Sequence, residues 1–288
     1  MELLAYGGWY GSGNLGDEAI LIGVRNIFEK ALPEVRLKVL SIDPARTESV
    51  CHVNAVRLES PRSLIRNRAA YLELFRNAKA CLVTGGTPFY DYGHISRVIH
   101  MGLPVLNEKK LVCFGVGSKR IKTLKGREIT RVLLKNSHMI STRDQASKDI
   151  LGGIIRPPAD GLRIKPLTVT GDSALFLNPN VRRNHEGNTV LFCPRRLTSD
   201  NRTLYHEALD KLTINKVRHM QAKAADGLVR QGYDVKFVPF HTVHPDDDRE
   251  EIRVIRNLMA EKGVEVLDRP SSPIDALKLI SGPHWWLV

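Results

Sequence analysis

Apolar residues come along this chain in short blocks, and stretches with helical spacing fill the intervals between them. Leu3–Gly8 is an apolar, strand-length run. It gives way to a glycine-rich loop and then, from about Asp17 to Leu32, to apolar positions three and four apart, the spacing of an amphipathic helix. Arg36–Ile42 reads as a second strand, Ser63–Ala78 as a helix, and Lys79–Thr84 as a strand running into Gly85-Gly86. Leu111–Gly115, Met139–Thr142 and Leu167–Thr170 are further strands, with helices expected over Lys125–Asn136 and Gln145–Leu151. Short apolar strands flanked by helices predict a parallel sheet covered on both faces. Ligands of such sheets bind beyond the C-terminal ends of the strands. Those ends carry Gly7-Gly8, Gly85-Gly86, Gly115-Val116-Gly117, Arg143-Asp144 and Asp172.

A polar stretch, 178–188, interrupts the pattern, which then restarts. Strands are expected over Thr189–Cys193, Asp234–Pro239 and Val264–Leu267, and helices over Lys216–Gln231, Arg249–Lys262 and Pro273–Ile280. Two α/β domains are predicted, 1–180 and 181–288. The second is expected to be incomplete, with a sheet of three strands. Where another core strand is due after Ser281-Gly282, the chain offers Pro283-His284-Trp285-Trp286-Leu287-Val288.

With 42% hydrophobic and 26% charged residues over 288 positions, the composition is that of a globular protein, and the apolar runs are too short to span a bilayer. Glu2 and the immediate strand do not fit a signal peptide, so a cytoplasmic location is expected. Cys51, Cys81, Cys113 and Cys193 have no CxxC spacing. They read as buried, reduced thiols, and neither cysteine nor histidine spacing points to a metal. The formal net charge of +12 is less ordinary. Basic residues gather at Arg57, Arg62, Arg66, Arg68 and Arg76 and again between Lys109 and Arg131. Anionic small substrates and an anionic membrane face both suit that field, as does a merely solvated basic face. Nucleic acid does not, because aromatic content is 6% and no recognition module is present.

Gly11, Gly13 and Gly16 spell a dinucleotide fingerprint between a strand and a helix, and Asp43 ends the second strand where a ribose-binding acid would sit. Asp17 and Glu18 oppose that reading. Two like charges about 4 Å apart repel by roughly 4 kcal/mol at an effective dielectric of about 20, which is poor design for a phosphate cradle. A plainer reading makes Asp17 an N-cap and Glu18 a favourable charge at the helix dipole. In a third, Asn14 and Asp17 project into a cleft and handle hydroxyls or protons.

The string Gly8-Trp9-Tyr10-Gly11-Ser12-Gly13-Asn14-Leu15-Gly16-Asp17-Glu18-Ala19-Ile20-Leu21 resembles the opening signature of the polysaccharide pyruvyl transferase family. Further matches follow in order. Thr84-Gly85-Gly86-Thr87 through Asp91 resembles the family's Gly-Gly-Gly…Asp loop, with Thr87 departing at the third glycine. Phe114-Gly115-Val116-Gly117, Arg143-Asp144-Gln145-Ala146-Ser147 and Gly171-Asp172-Ser173-Ala174 match later elements, as does Pro239-Phe240-His241 followed by Asp246-Asp247-Asp248. The resemblance implies two Rossmann-like domains of the GT-B glycosyltransferase type with a site in the cleft. It implies transfer of a pyruvyl group from phosphoenolpyruvate, as donor substrate and without a cofactor, to two hydroxyls of a saccharide. The expected acceptor belongs to a cell-surface polysaccharide or glycolipid, carried on a lipid phosphate at the inner face of the membrane.

Such chemistry needs cations for phosphate and carboxylate, an acid for the enol carbon and a base for the hydroxyls. The resemblance points to His241, Asp17 and Asp91 as catalytic candidates, and to Gly13, Asn14, Gly16, Gly85, Gly86, Arg143 and Arg195 as substrate-binding ones. Each has a plainer alternative. Arg143-Asp144 can be an ion pair at a helix start, Arg195-Arg196 a basic loop, and Asp91 a turn cap. His241, His244 and the aspartates that follow suggest a divalent metal less than an N-terminal charge cluster. Tyr90 and Tyr92 suit stacking on a sugar or simple packing. The family's next strand and its Arg-Leu-His element, which contributes to donor binding, have no counterpart after Ile280, and His284 is not that histidine. A non-catalytic saccharide- or phosphate-binding relic and a nucleotide-sugar transferase are the competing readings.

Overall fold

The computed structural model describes residues 1–91, 94–155, 166–177, 188–196, 211–242, 247–281 and 285–287. The chain divides into two compact units, Met1–Ser12 with Gly16–Asn178, and Pro179–Val288 with Gly13–Leu15.

The first unit is built from β1 (Glu2–Tyr6), α1 (Leu15–Ala31), β2 (Arg36–Ser41), α2 (Pro44–Cys51), β3 (Asn54–Arg57), α3 (Pro61–Asn77) and β4 (Ala80–Val83). It continues through α4 (His94–Leu106), β5 (Lys110–Val116), α5 (Leu124–Lys135), β6 (Met139–Thr142), α6 (Gln145–Ile155) and β7 (Leu167–Val169). The strands form one seven-stranded sheet in the order β3-β2-β1-β4-β5-β6-β7, parallel throughout. Strand order reverses between β1 and β4, where Leu3 faces Ala80 and Tyr6 faces Val83. Helices cover both faces, so β1 and β4 carry unbroken apolar runs (Leu3-Leu4-Ala5, Cys81-Leu82-Val83), every one of them buried. Leu4, Phe75, Phe89, Leu111 and Ile140 lie in the core between sheet and helices.

Three elements of this unit depart from the sequence expectation, which left 44–57 and 94–106 unassigned. Asp43, a ribose ligand only in the disfavoured dinucleotide reading, caps α2: its carboxylate accepts from Arg46 N at 3.2 Å, Pro44 opens the helix, and His52 closes it in the left-handed region. β3 follows, half-exposed and without alternation. α4 keeps its helix through Pro104.

The second unit contains β8 (Thr189–Phe192), α7 (Lys211–Arg230), β9 (Asp234–Phe237), α8 (Asp248–Leu258), β10 (Glu265–Val266), α9 (Pro273–Ser281) and β11 (Trp285–Leu287). Its sheet runs β10-β9-β8-β11, again parallel. The expectation of three strands is therefore corrected to four. Trp285–Leu287 is a strand, and pairs with Val190–Phe192. The aromatic–aliphatic composition of that tripeptide is strand-favouring, but three residues are too short to show a period. The polar stretch 178–187 and His284 lie outside the described residues.

Candidate functional site

Two glycine turns meet where strand order reverses in the first unit. Gly7 (φ +125°) and Gly85 (φ +123°) have backbone that side chains rarely adopt, and neither has room for one. A Cβ on Gly7 would stand 2.4 Å from Thr84 O, and one on Gly85 would stand 2.6 Å from Gly8 N. The third turn, after β5, packs equally closely. A Cβ on Gly117 would lie 2.1 Å from Gly86 O and 2.9 Å from Arg143 Nε. Gly117, read from the sequence as part of the Gly-x-Gly match but not as a substrate-binding candidate, thus belongs to this corner.

Asp17 sits against these turns. α1 starts at Leu15, so Asp17 is inside the first turn and is not its cap. Its carboxylate accepts a hydrogen bond across the sheet, from Gly86 N at 3.0 Å. Burial raises the carboxyl above the ordinary range, amide hydrogen bonds from Gly86 and Trp9 and the charge of Arg143 oppose that rise, and Glu18 adds to it. Tyr10 is fully buried. Burial, and next the charge of Asp17, push its phenol well above the usual value.

Glu18 goes elsewhere. Its side chain is fully buried and takes a two-pronged pair from Arg46, Nε to Oε1 at 2.9 Å and Nη2 to Oε2 at 3.3 Å. The expectation of two carboxylates crowding one helix end is corrected. A single carboxylate, Asp17, lies against the glycine turns, while Glu18 fastens α1 to α2.

Arg143, at the end of β6, is the cation of this corner. Nε donates to Asp144 Oδ2 at 3.1 Å and Nη1 lies 3.7 Å from Asp172 Oδ2. Asp144 also accepts from Ser147 N at 2.6 Å, and Asp172 from Ala174 N at 2.9 Å. Burial acts upward on Asp144, but the Ser147 hydrogen bonds and Arg143 outweigh it and hold the carboxyl low. The ion pair at a helix start is real, and it aims a guanidinium toward Gly86 and Gly117.

Asp91 is used differently. Its oxygens accept from Lys122 N (2.6 Å), Thr123 N (3.1 Å) and Thr123 Oγ1 (2.7 Å), tying down the loop ahead of α5. Tyr90 packs under the Arg97 guanidinium at 5.2 Å, and Tyr92 is outside the described residues. Gly13 adopts a left-handed φ of +83°, Asn14 directly precedes α1, and Gly16 lies in its first turn.

In the second unit a buried carboxylate, read from the sequence as part of the Pro-x-His…Asp match but not as a site residue, organises the candidates. Asp248, the first residue of α8, is 2% exposed. It accepts from Arg196 N at 3.1 Å and His241 N at 2.7 Å, and Arg195 Nη1 is 3.6 Å from its Oδ2. Arg195 and His241 thus share one anchor. Burial raises Asp248, against the pull of Arg195 and the two amides. Asp247 caps the helix and pairs with Arg249 at 2.6 Å, while His244 and Asp246 lie outside the described residues. Among the described residues no three metal-ligating side chains converge. All four cysteines are unpaired thiols that burial pushes up to about 12, out of nucleophilic range.

Two parallel sheets with glycine turns where strand order reverses define an α/β fold of Rossmann-like units, resembling the GT-B class. Solved structures bear this out. A putative UDP-N-acetylglucosamine 2-epimerase from Listeria monocytogenes aligns with TM-score 0.56 and 12% identity over 97% of this chain and 72% of its own. The UDP-GlcNAc 2-epimerase of Neisseria meningitidis (TM-score 0.54, 12% identity, 96% and 75%) and a glycosyltransferase from Rickettsia africae (0.54, 12%, 96% and 70%) align similarly. At such identities the likeness shows the fold alone. No curated protein matches the chain. The family does: the polysaccharide pyruvyl transferase model matches residues 14–283, and the chain belongs to that family.

Proposed function

We propose that this protein moves a pyruvyl group from phosphoenolpyruvate to two hydroxyls of a saccharide, closing a cyclic ketal and releasing phosphate. The observation that supports this most is the convergence of a buried Asp17, whose carboxyl burial raises, and the Arg143 guanidinium on three glycine turns. In this reading one hydroxyl oxygen bonds to C2 of the enol while C3 takes a proton from Asp17, and the proton that this hydroxyl gives up restores the Asp17 acid. The C2–O bond to phosphate then breaks, and the second hydroxyl adds to C2, its proton leaving with the phosphate. Arg143 receives the donor's oxyanions and Asp17 supplies the proton to C3. Arg195 and His241 are the second unit's candidates for charge and proton transfer. The acceptor is a cell-surface glycan or glycolipid carried on a lipid phosphate at the inner membrane face, in keeping with the net charge of +12.

The test is incubation with phosphoenolpyruvate and a panel of lipid-linked and free glycans. Phosphate release and acid-labile pyruvate on the glycan should appear in equal amounts, and Arg143→Ala should lose at least about a hundredfold in rate, as for removal of a stabilising donor. A folded wild-type protein that releases no phosphate across the panel, or releases it without pyruvate on the glycan, sinks the reading.

A further inference from the structure

We infer that the loop between β5 and α5 is a docking surface for an anionic membrane. It leaves the sheet at the end that also carries Gly85-Gly86 and Arg143, and it is firmly held. Lys119 N donates to Phe89 O at 2.9 Å, Ile121 is 2% exposed, and Asp91 gathers the Lys122 and Thr123 amides with the Thr123 hydroxyl. Thr123 then caps α5, accepting from Gly126 N at 3.1 Å. What this scaffold presents outward is Lys119, Arg120, Lys122 and Lys125, all exposed, with Leu124 among them at 81% exposure.

Local folding does not ask for these residues. The first turn of a helix favours acids, and α5 has none there, while Lys122, Lys125 and Arg127 crowd its positive end. A rigid, basic loop with an apolar tip suits a bilayer surface, where cations meet anionic headgroups and a leucine enters the acyl boundary. No helix among the described residues is long and apolar enough to cross a membrane, so contact of this kind would be peripheral. The inference rests on the transferase reading only for its purpose, which is to face that end of the sheet toward a lipid-carried acceptor.

The test is co-sedimentation of the full chain with vesicles of phosphatidylcholine alone or with about a third phosphatidylglycerol, over a range of salt, with no donor or glycan present. Binding should require the anionic lipid and weaken with salt. Leu124→Asp, and separately Lys122→Glu with Lys125→Glu, should weaken it at least about tenfold. Leu124→Asp and Lys125→Glu place acids in the first helical turn, where the dipole favours them, and Lys122→Glu changes an exposed residue ahead of the cap, so the thermal midpoint should hold. Arg66→Glu with Arg68→Glu on α3 makes the same change in net charge and should bind as wild type. Wild type without preference for anionic vesicles, loop variants that bind normally, or an α3 variant that loses as much as the loop variant would overturn the inference. Because no substrate is used, docking can stand where turnover fails, and the reverse.

Discussion

Asp17 and Glu18 are neighbours in the chain, yet one acts on the glycine turns and the other on the packing of α1, and substitutions should separate them. Arg46→Met leaves the buried Glu18 carboxylate without its partner, and should cost about 3 kcal/mol in urea unfolding. Asp17→Asn keeps an acceptor for Gly86 N and should change stability by no more than about 1 kcal/mol. It should nonetheless lower phosphate release by about a hundredfold or more, as loss of a general acid does. Equal effects of the two changes on stability would contradict this division. The candidate residues Gly85, Gly86 and Arg143 were legible in the sequence because strand ends and glycines mark them locally. Arg46 was not, because it acts on a residue distant in sequence, Glu18, and belongs to no motif. Asp248 stood in the Pro-x-His…Asp match, but its hold on Arg196 N, 52 residues away, was not legible.

At the level of elements, α4 is the instructive one. It carries His100, 2% exposed, stacked on Tyr6 of β1 at 4.7 Å and edge-on to Tyr71 of α3 at 5.6 Å, with Nδ1 2.7 Å from Ser96 O. Burial holds the imidazole down at about 4, against 6.5 in an unfolded chain. The unfolded state therefore binds the extra proton first. The stability this histidine contributes is intact above about pH 6.5 and is lost as pH falls toward 4, by about 3 kcal/mol in all. Denaturation midpoints measured from pH 7 to pH 4 should show this slope in wild type and a shallower one in His100→Phe. Identical slopes would show that the neutral ring is not what joins α3, α4 and β1. The helix itself escaped the sequence reading because Gly102 and Pro104 look like breaks, just as the short α2 and half-exposed β3 lack a period to read. The 17-residue α1 and the short but largely buried β6 were placed within two residues, because helical spacing marks the one and an apolar start beside a glycine-free turn the other.

Across the whole molecule the same strand logic recurs, with order reversing between β1 and β4 and again between β8 and β11. A donor held by the folded protein should register as stability. Phosphoenolpyruvate at a hundred times its dissociation constant should add about 2.7 kcal/mol, seen as a rise in thermal midpoint that UDP-sugars and NAD do not reproduce. A larger rise with UDP-sugars would favour a nucleotide-sugar transferase instead. The second reversal also has a consequence for solubility. β11 is only three residues long, yet it covers the flank of β8, whose Val190-Leu191-Phe192 run is buried. Short strands make safe borders, because they offer an incoming chain few amides to pair with. Deleting residues 282–288 would uncover the flank of the four-residue β8, whose amides then become a template for another molecule's strand. Light scattering of the shortened protein should then show concentration-dependent association that the full chain lacks, and a monodisperse product would deny β11 this guarding role.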